Sequence, residues 1–256
     1  MSRFDDLDAR LRQYETAFDV CVLPELWMVA RIDGRHFTRL TKSTGQFEAP
    51  FDERFKALMQ GTTQHLMNCG FPVRYAYQQS DEISLLFPQD IQVFGRKTRK
   101  YESVLAGEAS AWMSLHLGEL AAFDCRISQL PNLGLVEDYF VWRQEDAHRN
   151  ALNAHCYWML RGQGHSAVQA TQQLKSMLTQ DKHELLYQHS GLNFNDVPLW
   201  QKRGTGFYYD VVEKVGMNPK TQETRLTTRR TLVVDEALPF HEEYRRWLRE
   251  QRLPTP

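Results

Sequence analysis

Two aspartates lie where predicted strands end, and carboxylates placed in that way suit a metal-dependent phosphate chemistry. Asp33 ends the apolar run 25–33 and is followed by Gly34, which indicates a buried strand that stops at a turn. Asp81 lies in the polar segment 78–81, which we interpret as the turn of a hairpin. If both strands belong to one sheet, the two carboxylates converge at one edge, where their oxygens would bind hard cations such as Mg²⁺. Two such ions activate an attacking hydroxyl and stabilise a leaving phosphate, although the same residues are also common in ordinary turns.

A basic run and a separate lysine are the candidate phosphate ligands. The run 96–100 stands at the start of a predicted helix, where backbone N–H groups also favour anions. Lys182, in the segment 181–184, would neutralise another phosphate. Both features are also typical of a solvated helix surface, because charges commonly occupy exposed first turns.

The histidines and cysteines give weaker indications. His148 and His155 lie seven residues apart on a predicted helix and share a face, either as ligands or as hydrogen-bonded structural residues. The cysteines form no C-x-x-C motif, which argues against a zinc ribbon or a disulfide framework. We expect all four to be small buried side chains in a reducing compartment: Cys21, Cys69, Cys125 and Cys156.

The elements that would position the two acids follow the order β-α-β-β-α-β. This is the order of the split βαβ, ferredoxin-like unit, an antiparallel sheet with both helices on one face. The fold class is therefore α+β, and many unrelated activities occur on such a fold. Strands are predicted at 25–33, 72–77, 82–87 and 123–128, with helices at 50–68 and from about 100 to 120.

Helices and one long hairpin are predicted for the second half of the chain. Ser166 and Asp181 are candidate N-caps of helices within the segment 135–190. The hairpin has arms at 205–215 and 224–234 around a turn at 217–220, and a last amphipathic helix is predicted at 238–252.

The break at 132–136 is the predicted boundary between two regions. Residues 1–134 would form the catalytic domain, which includes a short amphipathic helix at its N-terminus. Residues 135–256 would pack on that domain and bind RNA or mediate oligomerisation. The N-terminal helix is indicated by apolar side chains at helical spacing: Phe4, Leu7, Leu11 and Tyr14.

Composition excludes several classes of protein. Apolar residues make up 42% and charged residues 25% of the 256 residues, which is typical of a globular protein and not of a disordered chain. Lysine and arginine (31) nearly cancel aspartate and glutamate (32), so a nucleic-acid partner would need a local basic patch. No apolar run approaches ~18 residues and the first residues lack an apolar signal segment, so we expect no membrane span and a cytoplasmic location.

Taken together and in order, these motifs resemble the tRNA-His guanylyltransferase family, and in particular its guanylyltransferase-like branch of 3′-to-5′ nucleotide polymerases. The matching blocks occur over about residues 25–205 in the expected order, and an ordered set of this kind is highly specific. They are Arg31-Ile32-Asp33-Gly34-Arg35-His36-Phe37, Gln79-Ser80-Asp81-Glu82, Phe94-x-Arg96-Lys97 with Lys100, Trp142-Arg143-Gln144-x-Asp146-x-His148, Tyr157-Trp158-Met159-Leu160 and Asp181-Lys182-x-Glu184.

The resemblance implies a palm like that of ordinary polymerases, working in the opposite direction, with two Mg²⁺ ions and with GTP and ATP as substrates. By position, Asp33, the Gly34 carbonyl and Asp81 would hold the metal, and Lys182 would assist activation of the tRNA 5′ end. The remaining site residues implied are Arg35, His36, Phe37, Thr38 and Ser80 for the nucleotide, and Arg96, Lys97 and Lys100 for a triphosphate.

The activity implied is nucleotidyl transfer to a tRNA 5′ end, in repair or maturation. The 3′-hydroxyl of a nucleoside triphosphate would attack a 5′ phosphate that is adenylylated or already a triphosphate. The partners implied are tRNA, nucleoside triphosphates and further copies of the chain, by resemblance as a tetramer. Two alternatives are a palm-type nucleotide cyclase with the same two acids and a non-catalytic tRNA-binding module, although retention of both acids and Lys182 argues against the latter.

One segment departs from the family pattern. Members that act on tRNA-His typically read H-I-N-N-L-Y-N where residues 148–154 of this chain read H-R-N-A-L-N-A. Ala151, Asn153 and Ala154 replace an Asn, a Tyr and an Asn that are suited to reading RNA bases. The departure favours the branch that repairs 5′-truncated tRNAs by templated addition.

Overall fold

A six-stranded antiparallel sheet organises the chain. The computed structural model describes residues 3–43, 47–217 and 224–253. The strands lie side by side in the order β4-β1-β3-β2-β5-β6, so the last two strands extend the sheet formed by the first four. Their bounds are β1 Trp27–Arg35, β2 Tyr75–Gln79, β3 Glu82–Leu86, β4 Ala122–Leu130, β5 Thr205–Met217 and β6 Thr224–Asp235.

Three of the helices of the described residues begin at a residue whose side chain caps the first turn. Asp52, Asn132 and Ser166 each accept a hydrogen bond from a backbone N–H of the first turn that follows, and the predicted Ser166 cap is confirmed. The helices are α1 Arg3–Glu15, α2 Phe37–Ser43, α3 Glu53–Leu66, α4 Thr98–Leu117, α5 Leu133–Gly162, α6 Ala167–Lys175, α7 Thr179–Ser190, α8 Leu199–Arg203 and α9 His241–Trp247, which continues as a wide π turn over Leu248–Arg252.

The sheet is covered on both faces, which is why the first half of β1, Trp27 to Ala30, is apolar without alternation. Met28, Ala30 and Ile32 face a core shared with α3 and α4. Trp27 and Val29 face the opposite core, which is shared with α5 and α9. The expectation of helices on one face therefore holds for α3 and α4 only, because α5 crosses the other face. A third cluster joins α5, α6 and α7 around Phe194.

Several sequence-based expectations are corrected by the structure. Helix α7 begins at Thr179, so Asp181 is its third residue, and its carboxylate accepts from the backbone N–H of Leu178. Cys21 is exposed, whereas Cys156 is buried as expected. The helices α2 and α8 were not predicted. Of the predicted turn, residues 218–220 lie outside the described residues. Over the part of the chain that the structure describes, no helix has the length and apolar character needed to cross a bilayer.

Candidate active site

Asp33 and Asp81 lie at the same end of neighbouring strands, as predicted, although β1 continues two residues past Asp33 to Arg35. Strands β1 and β3 are neighbours, and Asp33 lies opposite Glu82, the residue after Asp81. The backbone N–H of Gly34 donates to the Asp81 carbonyl oxygen over 3.1 Å. A side chain at Gly34 would place its Cβ 2.5 Å from the Phe37 ring and 2.9 Å from the Asp81 Cβ. Glycine is therefore required for the two turns to approach each other.

A network of ion pairs holds the Asp33 carboxylate in place. Arg31 donates to Asp33 Oδ2 over 2.8 Å and to Glu82 over 2.7 Å, and Arg143 of α5 donates to the second oxygen of Glu82 over 3.2 Å. Arg143 is buried, so this network ties the active-site edge to the long helix on the far face of the sheet. The contacts of Arg31 and Arg126 both fall on Oδ2 of Asp33, at 2.8 Å and 3.9 Å.

Asp81 is held in a setting that disfavours its charge. Burial raises the pKa of Asp81 to about 6, and the neighbouring carboxylates of Asp33 and Glu82 add to the rise. The Ser80 hydroxyl donates to Asp81 Oδ1 over 3.0 Å, from a backbone with a positive φ of 47° that holds the tight turn. A cation bound beside Asp81 would offset both the burial of the charge and the repulsion from neighbouring carboxylates, which together raise its pKa.

The donor set at this edge fits Mg²⁺. Its oxygens come from two carboxylates and a turn backbone, with no nitrogen or sulfur ligand, and hard cations prefer such ligands. Among the described residues no group of three or more His, Cys, Asp or Glu side chains converges to form a complete metal cage. The two acids therefore suit an ion that completes its coordination with water and with substrate phosphates.

A cavity of about 370 Å³ opens beside Asp81 and is rich in aromatic side chains. Trp200 packs edge-on against Phe51, and the Lys56 ammonium lies 4.7 Å from the Trp200 ring centre. Stacking surfaces next to a phosphate-binding edge suit a nucleobase. The cavity includes Ser80, Asp81 and, from five separate segments, the aromatic residues Phe37, Phe47, Phe51, Phe55, Trp158 and Trp200.

Sequence reasoning identified Phe37 and missed the other aromatic residues of this cavity. A signal was present in Phe47, Phe51 and Phe55, which flank Pro50 at intervals of four residues. They contribute to one surface only because α3 packs beside the turn after β1. Trp158 and Trp200 come from α5 and α8, and no local sequence pattern indicates that they line this cavity.

The other predicted nucleotide residues lie at the end of β1. Arg35 and His36 are exposed there, and His36 adopts a positive φ of 62° that turns the chain into α2. Phe37 is buried against Phe55 and Phe123. Thr38 belongs to α2, and its side chain lies outside the described residues.

The basic run 96–100 does not join the two acids within one chain. Lys97 forms an isolated β-bridge with Cys21. The run follows the end of β3 that is distant from Asp81, beside the start of β1. Arg96 contacts the Leu26 carbonyl, and Asp33 lies seven residues further along the extended chain, so the run lies roughly 20 Å from the acids. Lys97 forms an ion pair with Asp19 at 2.7 Å, and the Lys100 ammonium lies 5.8 Å from the Phe94 ring centre.

Arg96 has a structural role. Its side chain is buried, and all five of its N–H donors are directed at backbone carbonyl oxygens. This arrangement leaves no donor for phosphate, so the expectation that Arg96 binds the triphosphate is dropped. The accepting carbonyls belong to Val22, Leu23, Leu26, Gln89 and Ile91.

Lys182 contacts one of the residues that depart from the family pattern. Its ammonium donates to Asn153 Oδ1 over 3.0 Å, which connects α7 to α5. Ala151 is 1% exposed in the core around Phe194, so a side chain there would not reach RNA. Of the three replacements, only Asn153 and Ala154 are therefore placed where they could have lost a contact to RNA.

His148 and His155 share a face, and both pack against Phe194. Burial lowers the pKa of His148 to about 4 and also lowers the pKa of His155, so both rings are neutral near pH 7. His155 hydrogen-bonds the side-chain oxygen of Gln201 over 3.0 Å. These contacts support the structural interpretation of His155, whereas His148 packs against aromatic rings and its Nδ1 is buried without a hydrogen-bond partner.

Two acids at one end of neighbouring strands in an α+β fold, beside an aromatic cavity, are suited to metal-dependent chemistry on a nucleotide. The chain matches the family model described as tRNAHis guanylyltransferase over residues 8–131, and the model of the Thg1 C-terminal domain over residues 134–239. The chain therefore belongs to the tRNAHis guanylyltransferase family, a family of nucleotidyltransferases.

Curated relatives and solved structures agree with this placement. The chain is 34% identical to the probable tRNA(His) guanylyltransferase of Mus musculus over 226 residues, 84% of this chain and 74% of that protein. It is similar to a bacterial Thg1-like protein in complex with ATP, with a TM-score of 0.74 and 26% identity over 94% of this chain and 97% of the other. The Saccharomyces cerevisiae enzyme gives a TM-score of 0.70 and 27% identity over 77% of this chain and 90% of that one.

Proposed function

We propose that this chain adds nucleotides to the 5′ end of tRNA in the 3′-to-5′ direction, on a ferredoxin-like, polymerase-type palm formed by residues 1–134. The observation that carries the proposal is the convergence of Asp33 and Asp81 beside the aromatic cavity. The family match and the strand order β4-β1-β3-β2, which is that of a ferredoxin-like unit, support it.

In the proposed mechanism, Asp33, Asp81 and the Gly34 carbonyl hold Mg²⁺. When bound, the metal lowers the pKa of a nucleotide 3′-hydroxyl and stabilises the departing phosphate. Arg31 keeps the Asp33 carboxylate in one orientation, and Ser80 does the same for Asp81. The aromatic cavity stacks the base of the incoming GTP or ATP and excludes water from the reacting groups.

Lys182 serves the activation of a 5′-monophosphate in this proposal. Asn153 orients its ammonium group. Lys97 and Lys100 lie at the opposite edge of the sheet, so they bind phosphate of the substrate only if the RNA, or a second subunit of a homo-oligomer such as a tetramer, brings that phosphate to them. Residues 135–256 are proposed to provide RNA contacts, and the location is proposed to be cytoplasmic.

The test is incubation of the full chain with 5′-truncated and full-length tRNAs, each nucleoside triphosphate in turn, with and without Mg²⁺. We expect Mg²⁺-dependent extension at the 5′ end, read as the identity and position of the added nucleotide. Extension at the 3′ end, or a cyclic nucleotide as the product, would contradict the proposal.

Replacing Trp200 by Ala is expected to weaken nucleotide binding. Loss of one stacking surface costs ~1–3 kcal/mol per base, so KM for the nucleoside triphosphate should rise by about tenfold or more. The value of kcat should change much less, because the acids are untouched. Trp112→Ala is the matched control, since Trp112 is also half-buried but lies on α4, stacked on His116. Equal KM values for the two variants would remove Trp200 from the proposed base site.

Assignment to the repair-like branch predicts low selectivity for the anticodon of the tRNA substrate. Asn153 is engaged with Lys182, and Ala154 offers no side-chain donor, acceptor or stacking surface. Phosphate contacts carry no sequence information, so binding would persist without a base reader. We expect exchange of the anticodon in a 5′-truncated tRNA-His to change kcat/KM by less than about tenfold, whereas each lost base contact would cost ~1–3 kcal/mol. A larger loss would show that an anticodon reader exists elsewhere in the chain.

A further inference from the structure

Helix α1 has an apolar face that nothing within the described residues of the chain covers. No residue of α1 is buried. Its large side chains are instead strongly exposed, by 74% at Phe4, 57% at Leu11 and 74% at Tyr14. Phe18, which follows the helix, is 90% exposed. An exposed contiguous apolar surface of this kind marks an interaction site.

The spacing of these side chains is that of a two-helix seam. Phe4, Leu7, Leu11 and Tyr14 alternate at intervals of three and four residues, which are the a and d positions of a heptad, and Phe18 lies just beyond the end of the helix. A helix that packs on a globular core normally carries a wider apolar face. The narrow stripe therefore favours another helix as the occupant.

Charges beside the seam specify the partner and its direction. In a parallel pair, each g position faces the e′ position five residues further along the other helix. With Phe4 at a, Arg3 faces Asp8 of the other copy and Arg10 faces Glu15. Both contacts are attractive. An antiparallel pair would instead bring like charges together, since both g positions are arginine and both e positions are acidic.

The total surface also fits an assembling chain. The accessible surface is 15110 Å², whereas a compact monomer of 30.0 kDa exposes roughly 11,700 Å². The excess exceeds the roughly 1,000–2,500 Å² that one subunit buries in an obligate dimer.

We propose that α1 pairs in parallel with the α1 of a second copy of this chain, across a two-fold axis that runs along the seam. Such an isologous contact is self-complementary, because each charged pair occurs twice. The assignment does not depend on the catalytic proposal. Because an isolated helix of 13 residues is marginal in water, the full chain is needed to test the pairing.

The first test is sedimentation of the full chain at micromolar concentration. The double variant Leu7→Asp/Leu11→Asp is expected to raise the dissociation constant at least about tenfold. The control Ala9→Asp/Gln13→Asp adds the same charge on the outer face and should associate like the wild type. No core residue is changed, so the melting temperature of the dissociated chain should be retained. A monomeric wild type, equal association of both double variants, or vesicle binding by a monomer would overturn the proposal.

Charge reversal tests the direction of the pair. Arg10→Glu alone should weaken association about three- to tenfold, and Glu15→Arg alone should do the same. The double variant Arg10→Glu/Glu15→Arg should restore wild-type association, because the pair is reversed on both copies. Strengthening by either single change would indicate an antiparallel pair and would contradict the proposal.

Discussion

Replacing Asp81 by Asn is expected to abolish nucleotide addition and, at the same time, to stabilise the fold at pH 7.5. Activity is lost because an amide cannot supply the negative charge that the proposed metal requires. Stability is gained because the ionised carboxylate is disfavoured by burial and by Asp33 and Glu82, which together hold its pKa at about 6. Most substitutions that remove a buried polar contact do the opposite.

The sign of this stability change follows from the direction of the pKa shift of Asp81. The folded state holds the Asp81 proton more tightly than the unfolded chain, in which the pKa is near 3.8. The resulting stability is present below that value and is lost as the pH rises through about 6. Asn removes this loss of stability, so the gain should be about 3 kcal/mol at pH 7.5 and should nearly vanish near pH 3.5. At limiting Mg²⁺, wild-type activity should fall as the pH drops through about 6, because protons then compete with the metal for the Asp81 carboxylate.

Thermal unfolding in EDTA at the two pH values measures the stability change. Mg²⁺-dependent extension of a 5′-truncated tRNA measures the activity. Asp90→Asn is the control, because Asp90 is exposed and follows the far end of β3. It should change neither quantity. Substantial activity in Asp81→Asn would refute the assignment of two acids to the metal.

The position of the two acids was accessible from the sequence, because alternation and turn residues fix where a strand ends. Asp33 lies near the end of β1 and Asp81 immediately before β3. Because these neighbouring strands are antiparallel, their register places the two acids together. The same topology excludes the basic run from their neighbourhood, since the chain leaves Asp81 along β3 and reaches Lys97 only at the far edge. This consequence follows from strand direction, although it is easily missed when cations are read from composition alone.

Arg96 and the aromatic cavity show what local patterns do not contain. An arginine that binds phosphate and one that gathers five backbone carbonyls have the same sequence appearance. Only the packing of the loops before β1 and after β3 distinguishes them. Trp158 and Trp200, from α5 and α8, likewise line the same cavity as Asp81 although they are distant from it in sequence. These are long-range contacts, and no short window of sequence reports them.

Lys182→Ala is expected to separate activation from transfer. A 5′-monophosphate must be adenylylated before the 3′-hydroxyl can displace a good leaving group, whereas a 5′-triphosphate already carries one. An ammonium group that offsets phosphate charge in the activation step contributes several kcal/mol to that step alone. We therefore expect kcat/KM to fall about a hundredfold or more on 5′-monophosphorylated tRNA and less than about fivefold on the 5′-triphosphorylated form.

Asn153 supplies an internal check on this role. Because its side-chain oxygen accepts from the Lys182 ammonium over 3.0 Å, Asn153→Ala should give a smaller loss with the same substrate dependence. Lys175→Ala is the control, since this exposed lysine ends the neighbouring helix α6 and should leave both substrates unaffected. Accumulation of the adenylylated tRNA distinguishes the steps, and Lys182→Ala should form it slowly but consume it at the normal rate. If Lys182→Ala lowers activity equally on both substrates, the lysine binds phosphate throughout the reaction and activation must depend on other residues.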